Sequence, residues 1–229
     1  MKITYHGHSC VHLMDENHSI IIDPFITGNK LASASPEDIK VDTILLTHGH
    51  GDHIGDAVQI AKNNDATIVC AVELATFLGW KGAKTLGFNI GGTVHLPFGS
   101  VKMTQAFHST GYVVDEEQKI VYTGMPAGLI VKMDGKTIYH AGDTGLFGDM
   151  KLIGETAQPD IAFLPIGDHF TMGPDDALLA AGWINAKTTI PIHYNTFPPI
   201  EQDPHQYVKE LGYRQQIGKV LEPGESWEV

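Results

Sequence analysis

The chain has 229 residues, with 15 lysine and arginine residues against 27 aspartate and glutamate residues, so its formal net charge is −12. This acidic balance argues against binding along a nucleic-acid backbone, because phosphate affinity requires clustered cations. The 13 histidines are nearly as numerous as the permanent cations, which directs attention to metal chemistry.

Length and composition predict one globular unit over residues 1–229, because no low-complexity linker divides the chain. The N-terminus lacks the apolar run of a signal peptide, and no apolar stretch approaches the ~20 residues of a membrane span. Two cysteines, Cys10 and Cys70, are too few for a disulfide framework. We therefore expect a cytoplasmic protein with no membrane segment. The sequence leaves open whether copies associate into a homo-oligomer.

Short apolar runs bounded by turn residues predict strands along the whole chain. They span residues 1–6, 9–14, 19–23, 42–47, 66–71, 93–97, 100–107, 127–133, 136–140, 160–166, 188–192 and 217–221. Helical spacing of apolar residues predicts helices over 54–64, 73–79 and 146–156. Proline at a first helical position predicts two more, over 174–185 and 204–211. This order predicts an α/β or α+β fold in which two sheets pack face to face with helices outside.

The segment THGHGDH, residues 47–53, places four potential metal ligands between an apolar strand and a helix. Its spacing lets His48 and His50 project to one side, while Asp52 and His53 turn toward a second point nearby. The intervening glycines remove the Cβ groups that would obstruct so tight a path. Imidazole and carboxylate ligands without thiolate are typical of a catalytic metal site, which keeps open coordination positions.

This motif resembles that of the metallo-β-lactamase superfamily, and the resemblance continues along the chain. His108 in AFHS, Asp143 in YHAGDT and His193 in IPIHY each follow a predicted strand, in the superfamily's order. The resemblance implies a four-layer αββα sandwich of two mixed β-sheets flanked by helices. It implies two divalent metal ions bridged by Asp143, held by two sets of ligands: His48, His50 and His108, and Asp52, His53 and His193.

Four further segments, ITYHGHS, IDPF, GDHFTMGP and HYNTF, resemble metal-dependent hydrolases of the UPF0173 type, which are related to the lactonase that opens ascorbate 6-phosphate. Zinc is the favoured metal, and manganese, iron and nickel accept the same ligand types. Two dications would lower the pKa of a shared water to about 7 and supply hydroxide for hydrolysis. We predict a small anionic metabolite as the substrate.

Residues around the predicted ligands receive roles as well. We predict catalytic roles for Asp52 and His169, with His169 binding substrate or acting as the general acid. Asp23 is predicted to orient a ligating imidazole through its free N–H. His140 is expected to serve packing. The remaining residues predicted to border the site are His8, His6 and Asn195.

Several superfamily activities are disfavoured by features that the sequence lacks. A secreted β-lactamase would carry a signal peptide, and a glyoxalase-II-type thioesterase would continue into a helical extension, whereas 36 residues follow His193. There is no room for the flavin domain of a flavodiiron protein and no basic arm of a tRNA-processing nuclease. A phosphoester hydrolase of the phosphodiesterase kind is slightly favoured over a lactonase or other carboxylic-ester hydrolase. The rival of another class, a non-catalytic metal-binding or sensing protein, is disfavoured by the complete set of seven ligands.

Overall fold

The computed structural model describes residues 1–229 and contains two large mixed β-sheets. The first sheet has seven strands, in the order β15 (Ser226–Glu228), β1 (Lys2–Tyr5), β2 (Val11–Met14), β3 (Ser19–Ile22), β4 (Thr43–Leu45), β5 (Thr67–Ala71) and β6 (Lys84–Phe88). The second has six, in the order β14 (Thr188–Ile192), β13 (Ile161–Pro165), β12 (Lys136–His140), β11 (Ala127–Met133), β8 (Gly99–Gln105) and β7 (Thr93–Leu96). A separate hairpin pairs β9 (Tyr112–Val114) with β10 (Lys119–Val121).

Helices cover the outer faces of both sheets. The first sheet is covered by α2 (Ala57–Asn64) and α3 (Val72–Trp80), and the single turn α1 (Gly51–Ile54) precedes them. The second sheet is covered by α4 (Met150–Ala157), α5 (Pro174–Ile184) and α6 (Pro204–Tyr213). The predicted αββα sandwich is therefore confirmed. None of these helices combines the length and the apolar character needed to cross a membrane.

Strand alternation divides the buried residues between two cores. In β11, Leu129 and Val131 pack in the core between the sheets, while Ile130 packs under the outer helices. In β13, Phe163 packs between the sheets and Ala162 packs under the outer helices. Successive side chains of a strand point to opposite faces, so both faces of the second sheet must be apolar. Burying each large side chain contributes about 1.5–3 kcal/mol, which holds the layers together.

The register of the strands brings several strand ends to the same edge. β3 and β4 run parallel with Ile22 opposite Leu45, so the two strands end level with each other. β13 pairs in parallel with β12 and with β14, and Pro165 lies opposite Ile192. Residues that follow these strands therefore emerge at one edge of the sandwich, where ligands bind in open α/β sheets.

The predicted helix over 54–64 is interrupted, and α1 and α2 are separate elements. The break lies at Gly55, which has φ 43°. A Cβ at this position would lie 2.4 Å from the carbonyl oxygen of Pro24, so the close approach of the two segments requires glycine.

The predicted strand over 217–221 is wrong, since the chain makes a single bridge there, between Thr189 and Gly218. Thr189 N–H donates to Ile217 O, and Lys219 N–H donates to Thr189 O. The next hydrogen bond of a parallel ladder would need an N–H on Pro191, which proline lacks. Four short or exposed strands were not predicted, because their alternation is weak: β6, β9, β10 and β15.

Candidate metal centre

The candidate ligands lie at one edge of the sandwich, in segments that follow strands. Asp52 and His53 lie on the single turn of α1. The loops after β4, β8, β12 and β14 carry the others: His48 and His50, His108, Asp143 and His193. Since these strands end at the same edge, residues far apart in sequence converge on one point.

Three imidazoles form the first group of candidate ligands, His48, His50 and His108. Their ligand atoms lie within 4.8 Å of one another, and His48 Nε2 is 2.9 Å from His50 Nδ1. The loop between His48 and His50 packs tightly against Thr123. A Cβ on Gly49 would lie 2.0 Å from Thr123 Oγ1, so glycine is required for this path.

The second group contains Asp52, His53 and His193, and the structure adds His8 to it. His8 Nε2 lies 3.1 Å from Asp52 Oδ2, and the rings of His8 and His193 have centroids 4.1 Å apart. The sequence predicted that His8 borders the site, and the structure places its ring nitrogen among the candidate ligand atoms. His8 and His193 both adopt the left-handed backbone conformation, with φ of 55° and 56°.

Asp143 connects the two groups. Its Oδ1 lies 3.3 Å from His53 Nε2, and its Oδ2 lies 3.0 Å from His193 Nε2 and 3.5 Å from His108 Nε2. The carboxylate is buried, so bulk water does not solvate its charge. Asp143 thus reaches one imidazole of the first group and two of the second, as a bridging ligand must.

Asp23 orients one imidazole of each group from behind. Its Oδ2 accepts hydrogen bonds from His53 Nδ1 at 2.8 Å and from Thr47 Oγ1 at 2.6 Å, and its Oδ1 accepts one from Thr47 N–H at 2.9 Å. Because the Thr47 hydroxyl donates to Asp23, it accepts from His48 Nδ1 at 3.0 Å. Both imidazoles therefore present Nδ1 to these oxygen atoms and direct Nε2, the nitrogen that would bind a metal ion, toward the cluster.

The imidazoles of the first group are poised to bind a cation. Burial lowers the pKa of His48, His50 and His108, so all three are neutral at pH 7, the form that binds metal. Burial and the neighbouring His193 imidazole lower the pKa of His8 to about 4.

Two groups of the cluster are instead driven toward their charged forms. Burial disfavours the His53 cation, but the Asp143 and Asp23 carboxylates outweigh it and raise the pKa of His53 well above its usual value. Burial likewise disfavours ionised Asp143, but the His193 and His53 imidazoles hold its pKa well below the usual range. The buried Asp143 carboxylate therefore stays ionised, paired with the His53 imidazolium when no metal ion is bound.

Several buried polar atoms of the cluster make no hydrogen bond: His53 Nε2, His193 Nδ1 and Nε2, and Asp143 Oδ1. Such atoms are rare in folded proteins, because losing hydration without a new partner is costly. Imidazole nitrogens and carboxylate oxygens are ligands for zinc, manganese, iron and nickel. The residues present therefore fit divalent metal ions.

A cleft of about 500 Å³ opens over the cluster. Five of the candidate ligands contribute to its wall: His50, Asp52, His108, Asp143 and His193. The rest of the wall consists of Ser109, Phe170, Phe197 and Pro199. A small molecule in the cleft would touch both the candidate ligands and these four side chains.

The structure does not bring His169 to the cleft. Its side chain is exposed and makes no hydrogen bond, and its ring packs edge-to-face on Phe170 with centroids 4.6 Å apart. The loop turns tightly at Asp168, which has φ 68°, and presents Phe170 to the cleft. No contact supports the predicted catalytic role of His169.

His6 is also separate from the cluster. It is buried beside His12, with ring centroids 5.8 Å apart, and no hydrogen bond or ion pair joins it to a candidate ligand. Strict strand alternation would place His6 and His8 on the same face, but the chain turns between them. Gly7 has φ 90° and His8 has φ 55°, so the two side chains enter different regions.

Asn195 and His140 serve the structure around the site. Asn195 Oδ1 accepts a hydrogen bond from Gln202 N–H at 2.8 Å, so its side chain stabilises its own loop and does not line the cleft. His140 is fully buried, and its Nε2 lies 3.0 Å from Ser9 O, which confirms its predicted packing role.

Sequence reasoning missed two threonines that contact imidazoles of the cluster. Thr47 stands between Asp23 and His48, and its place directly before the motif was the only available signal. Thr196 Oγ1 lies 3.0 Å from His8 Nδ1, although 188 positions separate the two residues. Nothing local in the sequence marks that contact.

Fold and ligand arrangement together define a metal-dependent hydrolase with the metallo-β-lactamase fold. Residues 18–194 match the family model described as the Beta-lactamase superfamily domain. A UPF0173 metal-dependent hydrolase of Geobacillus thermodenitrificans is 59% identical over 229 residues, which is 100% of each chain. A second one, from Bacillus cereus, is 59% identical over 226 residues, 99% of each chain. The chain therefore belongs to the UPF0173 family of metal-dependent hydrolases within the β-lactamase superfamily, as its motifs indicated.

The architecture also matches that of a solved structure. Igni18, a metallo hydrolase from the hyperthermophilic archaeon Ignicoccus hospitalis, is 40% identical and superposes with a TM-score of 0.89. The match covers 100% of this chain and 98% of that one.

Proposed function

We propose that this hydrolase works with two divalent cations held side by side by the histidine cluster. The observation that carries the proposal is the position of Asp143, whose two oxygens reach imidazoles of both groups at 3.0–3.5 Å. One cation would be held by His48, His50 and His108, the other by Asp52, His53 and His193, with Asp143 shared. Zinc is the favoured metal for so nitrogen-rich a set, and manganese, iron and nickel are the alternatives.

Bound cations of this kind polarise a substrate oxygen and make water acidic enough to attack at neutral pH. Residues of the chain accept the proton of the attacking water and hold the accepting group in place. Asp52 lines the cleft with a partly exposed carboxylate, so we assign it the proton released by the attacking water. His8 contacts Asp52 Oδ2 and holds that carboxylate in place.

A phosphodiester is the substrate class that we favour. The cleft offers no lysine or arginine, so the cations are the only positive charges available to an anionic group. A phosphodiester carries one negative charge, located on the group that reacts, and needs no other cation. The second candidate is a lactone or other carboxylic ester, which the aromatic part of the cleft wall favours.

The test is a substrate screen with protein reconstituted in Zn²⁺, Mn²⁺, Fe²⁺ or Ni²⁺. Bis(p-nitrophenyl) phosphate, phosphomonoesters, lactones and thioesters would be compared for wild type, Asp52→Ala and His108→Ala. We expect diester turnover and at least about a 100-fold loss in both variants. His205→Ala is the matched control, because this histidine is exposed on α6 and touches no candidate ligand.

Two outcomes would contradict the proposal. Full activity in both variants would contradict the assignment of the site. Bound metal without turnover of any substrate would favour the rival function, a non-catalytic metal-binding or sensing protein. Metal analysis by mass spectrometry should find two ions per chain, and a single ion would contradict the dinuclear site.

We also propose that the protein acts on a small molecule in the cytoplasm and binds neither nucleic acid nor membrane. Cys10 and Cys70 are buried and unpaired, which suits a reducing compartment. The cleft of about 500 Å³ has the size of a small-molecule site.

A further inference from the structure

The part of the cleft wall that holds no candidate ligand is mostly apolar. Ser109 is its only polar member, and Phe170, Phe197 and Pro199 make up the remainder. Phe170 leaves 51% of its surface exposed, so part of its ring is available to a bound molecule. A substrate whose reacting group meets the candidate ligands must place its adjoining atoms against these side chains.

The surrounding structure holds the Phe197 ring and the loop that carries Phe170. Phe197 packs edge-to-face on His8 with centroids 5.5 Å apart and also contacts Phe25 at 6.2 Å. The Phe170 loop is tied to the segment after Asp143, since Met172 N–H donates to Thr144 O at 2.9 Å. The two loops follow β13 and β14, which are neighbours in the sheet. The Phe197 ring and the backbone that carries Phe170 therefore stand beside the cluster before any ligand arrives.

Apart from Ser109, the cleft wall outside the candidate ligands offers no polar side chain to a substituent. None of the 15 lysine and arginine residues lines it, although a substrate with a second anionic group, such as a dicarboxylate, would need a cation away from the reacting bond. Aromatic walls bind planar apolar groups through area burial and ring contacts.

We propose that the substrate carries an apolar, planar group on the bond that is cleaved, and that Phe170 and Phe197 bind this group beside the candidate ligands. The inference rests on the proposed function, because it assumes that the ester is hydrolysed in this cleft. It narrows the substrate class to aryl or similarly flat esters and disfavours sugar phosphates.

The experiment measures binding to metal-reconstituted protein by calorimetry, so it does not depend on turnover. Three phosphodiesters with the same single charge are compared: diphenyl phosphate, dimethyl phosphate and glycerophosphoglycerol. We expect diphenyl phosphate to bind about tenfold more tightly than the other two. Phe170→Ala should abolish this preference and leave dimethyl phosphate binding unchanged, and Phe170→Tyr should restore it. Trp80→Ala is the control, since Trp80 is exposed at the end of α3 and lines no part of the cleft.

Equal binding of the three diesters would overturn the inference, and so would an unchanged preference in Phe170→Ala. Turnover of bis(p-nitrophenyl) phosphate is measured in parallel to separate the two proposals. A diphenyl preference that depends on Phe170, without any turnover, would contradict the proposed function and support the aromatic site. Turnover without the diphenyl preference would support the proposed function and contradict the aromatic site.

Discussion

Asp23→Asn tests whether one buried carboxylate sets the geometry of both ligand groups. Asparagine keeps the size of the side chain but replaces one acceptor oxygen with an NH₂ group. In the native structure, Oδ1 accepts from Thr47 N–H, and Oδ2 accepts from the Thr47 hydroxyl and from His53 Nδ1. If the amide oxygen stays on Thr47 N–H, the NH₂ group faces His53 Nδ1. His53 must then move its proton to Nε2, the nitrogen that would bind metal.

The size of the effect follows from these contacts. Leaving one buried donor without an acceptor costs about 1–3 kcal/mol, and losing a partner behind a metal ligand lowers metal affinity by about 10- to 100-fold. Rotating the amide does not avoid the cost, because NH₂ would then face Thr47 N–H. We therefore expect Asp23→Asn to bind metal about 10- to 100-fold more weakly and to be less stable without metal by about 1–3 kcal/mol.

The assay is competition for metal with a chromophoric chelator, together with urea unfolding of the metal-free protein. Asp56→Asn is the matched control. Its carboxylate accepts hydrogen bonds from Ile26 N–H and Thr27 N–H but contacts no imidazole, so the variant should lose stability and keep its metal affinity. Wild-type metal affinity in Asp23→Asn would refute the reasoning that Asp23 directs the lone pairs of the ligands.

Three other predictions concern the loop, the pH dependence of stability and the metal. Gly49→Ala should destabilise the protein by about 2–4 kcal/mol in urea unfolding, because its Cβ would overlap Thr123. Gly51→Ala is the control, since no atom lies within 4 Å of its Cβ, and it should change stability by at most about 0.5 kcal/mol. Similar values for the two variants would contradict the packing argument. Burial, with the nearby His6, lowers the pKa of His12 to about 4, so His12 stabilises the fold above its unfolded pKa of about 6.5 and loses this contribution as the pH falls toward 4. Metal-free wild type should thus lose about 2 kcal/mol more than His12→Gln between pH 7 and pH 5, and parallel losses would contradict this origin. Protein with free metal at a thousandfold excess over its dissociation constant should be about 4 kcal/mol more stable than chelated protein, and its melting temperature should be correspondingly higher. An unchanged melting curve would show that the cluster holds no metal.

The sequence by itself indicated two sheets with helices outside, and its resemblance to the metallo-β-lactamase superfamily implied the αββα sandwich and the seven candidate ligands. The residues concerned directly follow apolar strands, and neighbouring strand ends must meet at one edge of a sheet. Local spacing therefore carried three-dimensional information for His48, His50 and His53. Asp23 was predicted from its IDPF segment and from the need of a ligating imidazole for a partner, and the structure explains its position, because Asp23 follows β3 and β3 ends level with β4.

Only the tertiary structure decided which of the other polar residues face the cluster. His8 contacts Asp52 across 44 positions of sequence and Thr196 across 188. The left-handed turn at His8 reverses the alternation that grouped it with His6, and a similar turn at Asp168 exposes His169. Alternation holds only while the chain stays extended, so the direction of a side chain in a tight turn depends on packing between elements distant in sequence.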